Sequence, residues 1–234
     1  MSPFLRVLEN DVQIAALLFM GVVYVLRLLW LFRFRSAAER TYAAGNATAG
    51  VALSMLNVAL PWAMESTRKK PLFYVQFVVF HVGVVVAIAA TFIIPYRPAL
   101  FEIAAVVRSF QVALAAAFAV GVARLYRRLT TPALRLISTV DDYLSLSLMI
   151  LFFLAGALAV PNRYQESEWA LIGFFALTAL FLVYVPFSKI CHYLYYPFTR
   201  FYLGRMQGHR GVVAKTHRVD LADPHAAASA GAER

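Results

Sequence analysis

The chain has 234 residues, 62% of them hydrophobic and only 15% charged, with a mean hydropathy of +0.69. That much apolar surface under so few charges exceeds what a soluble domain of this length covers, and it selects a protein that lipid covers instead. The formal charge of +10 sits in short stretches between apolar runs, with no RNA- or DNA-binding motif beside it, so nucleic acid is excluded as the partner.

A helix needs about 20 apolar residues to cross the bilayer core. The first such run extends from about Val12 to Phe32, interrupted only by Arg27, which lies close enough to its end to snorkel. The next apolar stretch, Ala47 to Met64, holds Asn57, Pro61 and several small residues. Basic residues flank it on both sides, so a crossing would put one cluster on the wrong face. It is expected to form an interfacial or protein-packed helix that returns to the side it left. Further spans are expected at about Pro71–Ile94, Pro98–Ala123, Tyr143–Val160 and Trp169–Tyr195, bounded by prolines at 95, 98, 132 and 161.

The fold expected is therefore all-α, an integral membrane bundle of five transmembrane helices within a membrane domain of residues 1–205. Residues 206–234 are polar and small and are expected to form a disordered tail. The opening MSPFLRVLEND lacks a basic n-region leading into an apolar stretch, so no cleaved signal peptide is expected. No internal repeat is evident.

Five spans make the charge distribution lopsided. Arg33, Arg35, Arg40, Arg68, Lys69 and Lys70 fall in one loop, and Arg124, Arg127, Arg128 and Arg135 in another on the same side. The C-terminal end adds more there, whereas the opposite side holds Arg6, Arg97 and Arg163. The positive-inside rule then puts the N-terminus outside and the C-terminus in the cytoplasm; the membrane expected is the cytoplasmic (inner) membrane of a bacterium.

Chemistry has few places to reside. The single cysteine, Cys191, forms no intrachain disulfide or thiolate cluster, and no C-x-x-C-H signature for covalent haem is present. Of five histidines, His209, His217 and His225 lie toward the C-terminus, while His81 and His192 lie in apolar segments. A neutral imidazole there needs a partner, and two axial histidines on different helices can hold a b-type haem inside a bundle. A hydrogen bond to a neighbouring helix is the plainer alternative. Gly83 serves either a flat ligand or helix packing. Asp141 and Asp142 are placed to complement the helix dipole, a proton relay being the alternative. Arg108, about ten residues into the third span, pairs with Glu102 or contacts a haem propionate or a quinone carbonyl.

Two stretches resemble the gamma subunit of respiratory nitrate reductases, a membrane cytochrome b. These are FHVGVVVAI (Phe80 to Ile88) and LFLVYVPFSKICHYLYYPFTRFYLGR (Leu180 to Arg205), and RRLTTPALRLISTVDDYLSLSLMILFFLAGAL is similar to that family's loop and fourth helix. The resemblance implies two b haems on four histidines, but the second positions are here Thr91 and Phe174. It therefore implies one haem, with His81 and His192 as axial ligands to its iron. It also implies an electron-transfer subunit of a quinone-linked oxidoreductase, anchoring a cytoplasmic iron–sulfur partner in the bilayer and relaying electrons between it and the quinone pool. A haem-free membrane anchor recruiting a soluble partner is the alternative.

Overall fold

The computed structural model describes residues 1–34, 39–59 and 65–212. Among them there is no strand, and five helices are long and apolar enough to cross a membrane: α1 (Pro3–Arg33), α4 (Pro71–Tyr96), α5 (Ala104–Thr130), α7 (Val140–Ala159) and α8 (Trp169–Tyr184, continued as a tighter turn to Phe187). Shorter helices are α2 (Ala47–Leu56), α3 (Glu65–Lys69), α6 (Pro132–Ile137) and α9 (His192–His209). The protein is a multi-pass helical membrane protein. The chain divides into two compact units, Met1–Ala37 with Lys70–Tyr195, and Ala38–Lys69 with Tyr196–Arg234.

In the first unit α7 is central, packed against α4, α5 and α8, while α1 lies along α8. The shared core is aromatic where rings interlock and glycine- or alanine-lined where backbones approach. Phe152 stacks on Phe174 at 5.2 Å, Phe80 meets Phe153 edge-on at 5.1 Å, and Ala87, Ala90, Leu114 and Ala117 are fully buried between them. Large side chains such as Leu18, Val85 and Val112 remain exposed, as expected where lipid rather than protein covers the apolar face. Near its start α1 widens into a π-turn at Leu8–Val12, and Gln13 Nε2 donates to the Phe175 carbonyl of α8 at 2.8 Å.

Several boundaries differ from those expected, beginning with the first span, whose helix starts at Pro3 rather than Val12. The third span begins at Ala104 rather than Pro98, because Pro98–Glu102 forms a separate 3₁₀ turn pinned by Phe101, whose buried ring meets Phe110 at 5.2 Å. It runs on to Thr130 because its arginines find partners without leaving the helix. Arg124 and Arg127 lie over the Phe80 and Phe73 rings at 5.3 and 4.3 Å, and Arg128 reaches Ser138 at 2.7 Å.

The fifth span ends at Phe187 rather than Tyr195. Pro186 has no N–H to continue the ladder, and the chain then adopts an extended conformation at Ser188. The Ser188 hydroxyl accepts from the Ile190 amide at 3.2 Å and starts a second short turn, Lys189–Cys191.

In the second unit, Asn46 caps α2 by accepting the Ala49 amide hydrogen at 3.0 Å. The helix is ten residues long, about half a span. Residues 60–64 of the expected interfacial helix lie outside the described residues. Gly50 packs against Gly204 and Gly208 of α9, where added Cβ atoms would strike backbone. Helical structure continues through His209, into the region expected to be disordered. Its end is held there by Ala44 N–H donating to the His209 carbonyl at 2.8 Å, His209 Nε2–H donating to the Thr41 carbonyl at 2.8 Å, and Arg210 paired with Glu39 at 3.0 Å. Positions 213–234, with His217 and His225, lie outside the described residues.

Candidate functional site

His81 sits ten residues into α4, half-buried. Its Nδ1–H donates to the Phe77 carbonyl one turn back at 2.8 Å, and its ring lies 4.1 Å from the Phe77 ring. A carbonyl only accepts, so Nδ1 carries a proton, and in the neutral ring Nε2 keeps its lone pair. This is the arrangement that second-shell carbonyls impose on metal-ligating histidines.

His192 opens α9 and is exposed. Its Nδ1–H donates to the Lys189 carbonyl at 3.1 Å, which again leaves Nε2 as the free donor atom. The donor chemistry of both rings therefore suits iron. Among the described residues no group of three or more His, Cys, Asp and Glu side chains could hold a bare metal ion, but a haem needs only its axial pair.

The two rings are not in contact with each other. Phe80, beside His81, meets Phe153 of α7, whereas Lys189, beside His192, meets Asp141 and Asp142 at the start of α7. Those levels are about three turns apart on α7, although the His81 ring leans back toward Phe77 and shortens the separation. Axial ligands to one iron must face each other across metal–nitrogen bonds of about 2 Å.

Gly83 lies against Ala117 of α5 and Phe153 of α7, which makes it part of the helix packing. Arg108 is only one turn into α5, because the helix begins at Ala104, and it is exposed. Glu102 is also exposed, and among the described residues no ion pair joins the two. On α5, Arg108 lies some three and a half turns from Gly121, the residue that meets Phe80; the structure does not bring Arg108 to His81.

Arg124 does lie on the His81 side of the bundle, half-buried over Phe80, with Arg127 beyond it over Phe73. Sequence reasoning counted it as a loop charge. The one available signal was the three-residue step between Arg124 and Arg127, which keeps both on the α5 face toward Phe73 and Phe80.

The remaining polar cluster stands at the start of α7. Asp142 closes a capping box, accepting from the Thr139 amide at 2.8 Å, and takes the Lys189 ammonium at 2.6 Å, with Arg128 at 3.6 Å. Asp141 accepts from the Tyr184 hydroxyl and, at 2.9 Å, from the Lys189 amide. Tyr24 and Tyr193 join hydroxyl to hydroxyl near the buried Cys191, and Arg27 donates to Tyr195 at 2.9 Å. At the opposite end of the bundle a cavity of about 350 Å³ opens among Gln111, Leu158, Pro161, Arg163, Glu166 and Leu171.

A curated protein of Nitratidesulfovibrio vulgaris (strain Hildenborough), described only as a protein, is 26% identical over 159 residues, covering 66% of this chain and 70% of its own length. No family model and no solved structure matches the chain.

Proposed function

We propose that this chain is the haem b-carrying membrane subunit of a quinone-linked redox complex, and that it relays electrons between a cytoplasmic iron–sulfur protein and the quinone pool. The observation that carries this reading is the shared state of His81, within α4, and His192, just beyond the fifth span. Each gives its Nδ1 proton to a main-chain carbonyl one turn back and keeps Nε2 free. Neither ring spends its second nitrogen on a helix–helix bond among the described residues, which is what the packing-only alternative requires.

His81 and His192 would be the axial ligands, and haem bound there would supply one-electron exchange. The chain's own part is to hold the two imidazoles in one tautomer and to keep water from the apolar bundle. The N-terminus outside and the cytoplasmic C-terminus follow from the charge asymmetry, the bacterial inner membrane goes with the nitrate reductase resemblance, and both belong to the same proposal. The resemblance to the nitrate reductase gamma subunit supports one haem rather than two, since Thr91 and Phe174 stand at the other ligand positions.

A haem-free anchor for a soluble partner is the second reading, favoured by the different levels at which the two histidines' neighbours meet α7. The test is the haem content of purified variants. The first reading predicts that His81→Ala and His192→Ala each abolish a b-type reduced-minus-oxidised spectrum while His209→Ala retains it. A spectrum that survives both substitutions would overturn it.

A further inference from the structure

Asp141 does not do what an acidic residue in the first turn of a helix ordinarily does. The capping of α7 falls to Thr139 and Asp142, which bond each other's backbone amides in a closed box. Asp141 instead turns its carboxylate to the segment after α8. One oxygen takes the Tyr184 hydroxyl, with Ser145 Oγ beside it at 3.5 Å, and the other takes the Lys189 amide hydrogen at 2.9 Å.

Lys189 is thus gripped at three points. Asp141 holds its N–H, Asp142 and Thr139 hold its ammonium at 2.6 and 2.9 Å, and its carbonyl receives the Nδ1–H of His192 at 3.1 Å. The turn between these bonds is short and internally tied, with Ser188 bonded to the Ile190 amide and to the Val185 carbonyl. A displacement of Lys189 has therefore little slack before it reaches the imidazole.

We infer that Asp141 is a positioning residue for His192: by fixing Lys189 it selects the nitrogen of His192 that carries the proton and so presents Nε2 as the donor atom. The inference rests on the reading of His192 as a ligand only for the identity of what Nε2 meets. The positioning itself is a property of the chain. A carboxylate accepting a backbone N–H forms a charge-assisted bond, stronger than a neutral one, and second-shell partners of this kind orient ligating histidines.

The full-length protein carrying ¹⁵N-labelled histidine gives the direct readout, with His192→Gln assigning the His192 signal. In the wild type at alkaline pH His192 is expected as the Nδ1-protonated neutral tautomer. Asp141→Ala should shift its tautomer ratio by about tenfold toward Nε2 protonation, the scale of one lost charged hydrogen bond, whereas Asp141→Asn, which keeps an accepting oxygen, should hold the wild-type tautomer. In haem-loaded protein the alanine variant should also change the low-spin electron paramagnetic resonance signal.

If Asp141→Ala does not accumulate, Lys189→Pro replaces it. Ser188 is already extended, as a residue before proline must be, and Lys189 is the first residue of its turn, so proline deletes the donated N–H without opposing the backbone. It also removes the ammonium held by Asp142 and Thr139, so Lys189→Met, which loses the ammonium alone, is compared with it. A lowered thermal midpoint with an unchanged His192 tautomer in Asp141→Ala or Lys189→Pro would overturn the inference, because it marks a role in stability alone. Wild-type protein without haem would sink the proposed function, and the tautomer comparison would still decide the role of Asp141.

Discussion

Gly83 lies so close to Ala117 that a Cβ built on the glycine would overlap the alanine methyl. The α4 backbone therefore seats directly on the Ala117 methyl of α5, the close approach by which membrane helices gain dispersion contacts when no hydrophobic effect drives them together. Gly83→Ala is expected to force the helices apart at about 1–3 kcal/mol, the scale of overpacking in a filled core. The thermal midpoint in detergent should fall accordingly. Combining it with Ala117→Gly should restore most of the loss, and a double variant no better than the single one would show that the two positions do not meet.

Glu39 supplies a pH dependence in the second unit. Hydrogen bonds from the Thr41 hydroxyl and amide, joined by the Arg210 guanidinium, hold its carboxyl below the usual carboxylate value. A depressed value means that the contribution is present above pH 4.5, the ordinary value, and is lost as pH falls through the lower folded one. Spin labels on Tyr42 and Met206, both exposed, should show a distance distribution that is narrow at neutral pH and broadens in acid. In Glu39→Gln the distribution should no longer change with pH.

Orientation has its own test. A reporter active only in the cytoplasm should work when fused after Arg205 and fail near Asn162. Fused at Glu65, which follows a helix too short to span, it should again be active; an external signal there would add a crossing between α1 and α4.

Much of this was legible in the sequence. The apolar runs around Ile14–Phe32, Leu72–Ile94 and Ala170–Phe181 announce helices of spanning length because lipid imposes that length directly. The ends were harder. Nothing in PYRPALFE distinguishes a helix start at Pro98 from a 3₁₀ turn held by Phe101, and Arg124 to Arg128 read as a loop until Phe73, Phe80 and Ser138 are seen to receive them. The break at Ser188 was written in Pro186, yet His192 looks like the last turn of α8 until Asp141 is found holding Lys189. The two histidines were findable from their apolar surroundings, but their tautomers depend on carbonyl positions that only the fold supplies.

Arg108 tests where quinone meets the chain. Being exposed one turn into α5 and away from His81, it is not needed to hold the bundle, so Arg108→Gln should assemble with wild-type haem content and thermal midpoint. If Arg108 contacts a quinone carbonyl, rapid-mixing spectroscopy should show slower reoxidation of the reduced haem by added quinone. Wild-type rates would exclude Arg108 from that contact, and haem loss would show that the residue supports the fold instead.

The central claim is one haem on His81 and His192, and the measurement that meets it most directly is the ratio of haem to protein in the purified chain, read from the pyridine haemochrome spectrum against quantitative amino-acid analysis. The account predicts a b-type spectrum with a ratio near one. A ratio near zero would leave the two imidazoles as packed side chains of a haem-free anchor, and a ratio near two would show that Thr91 and Phe174 do not mark a lost second site.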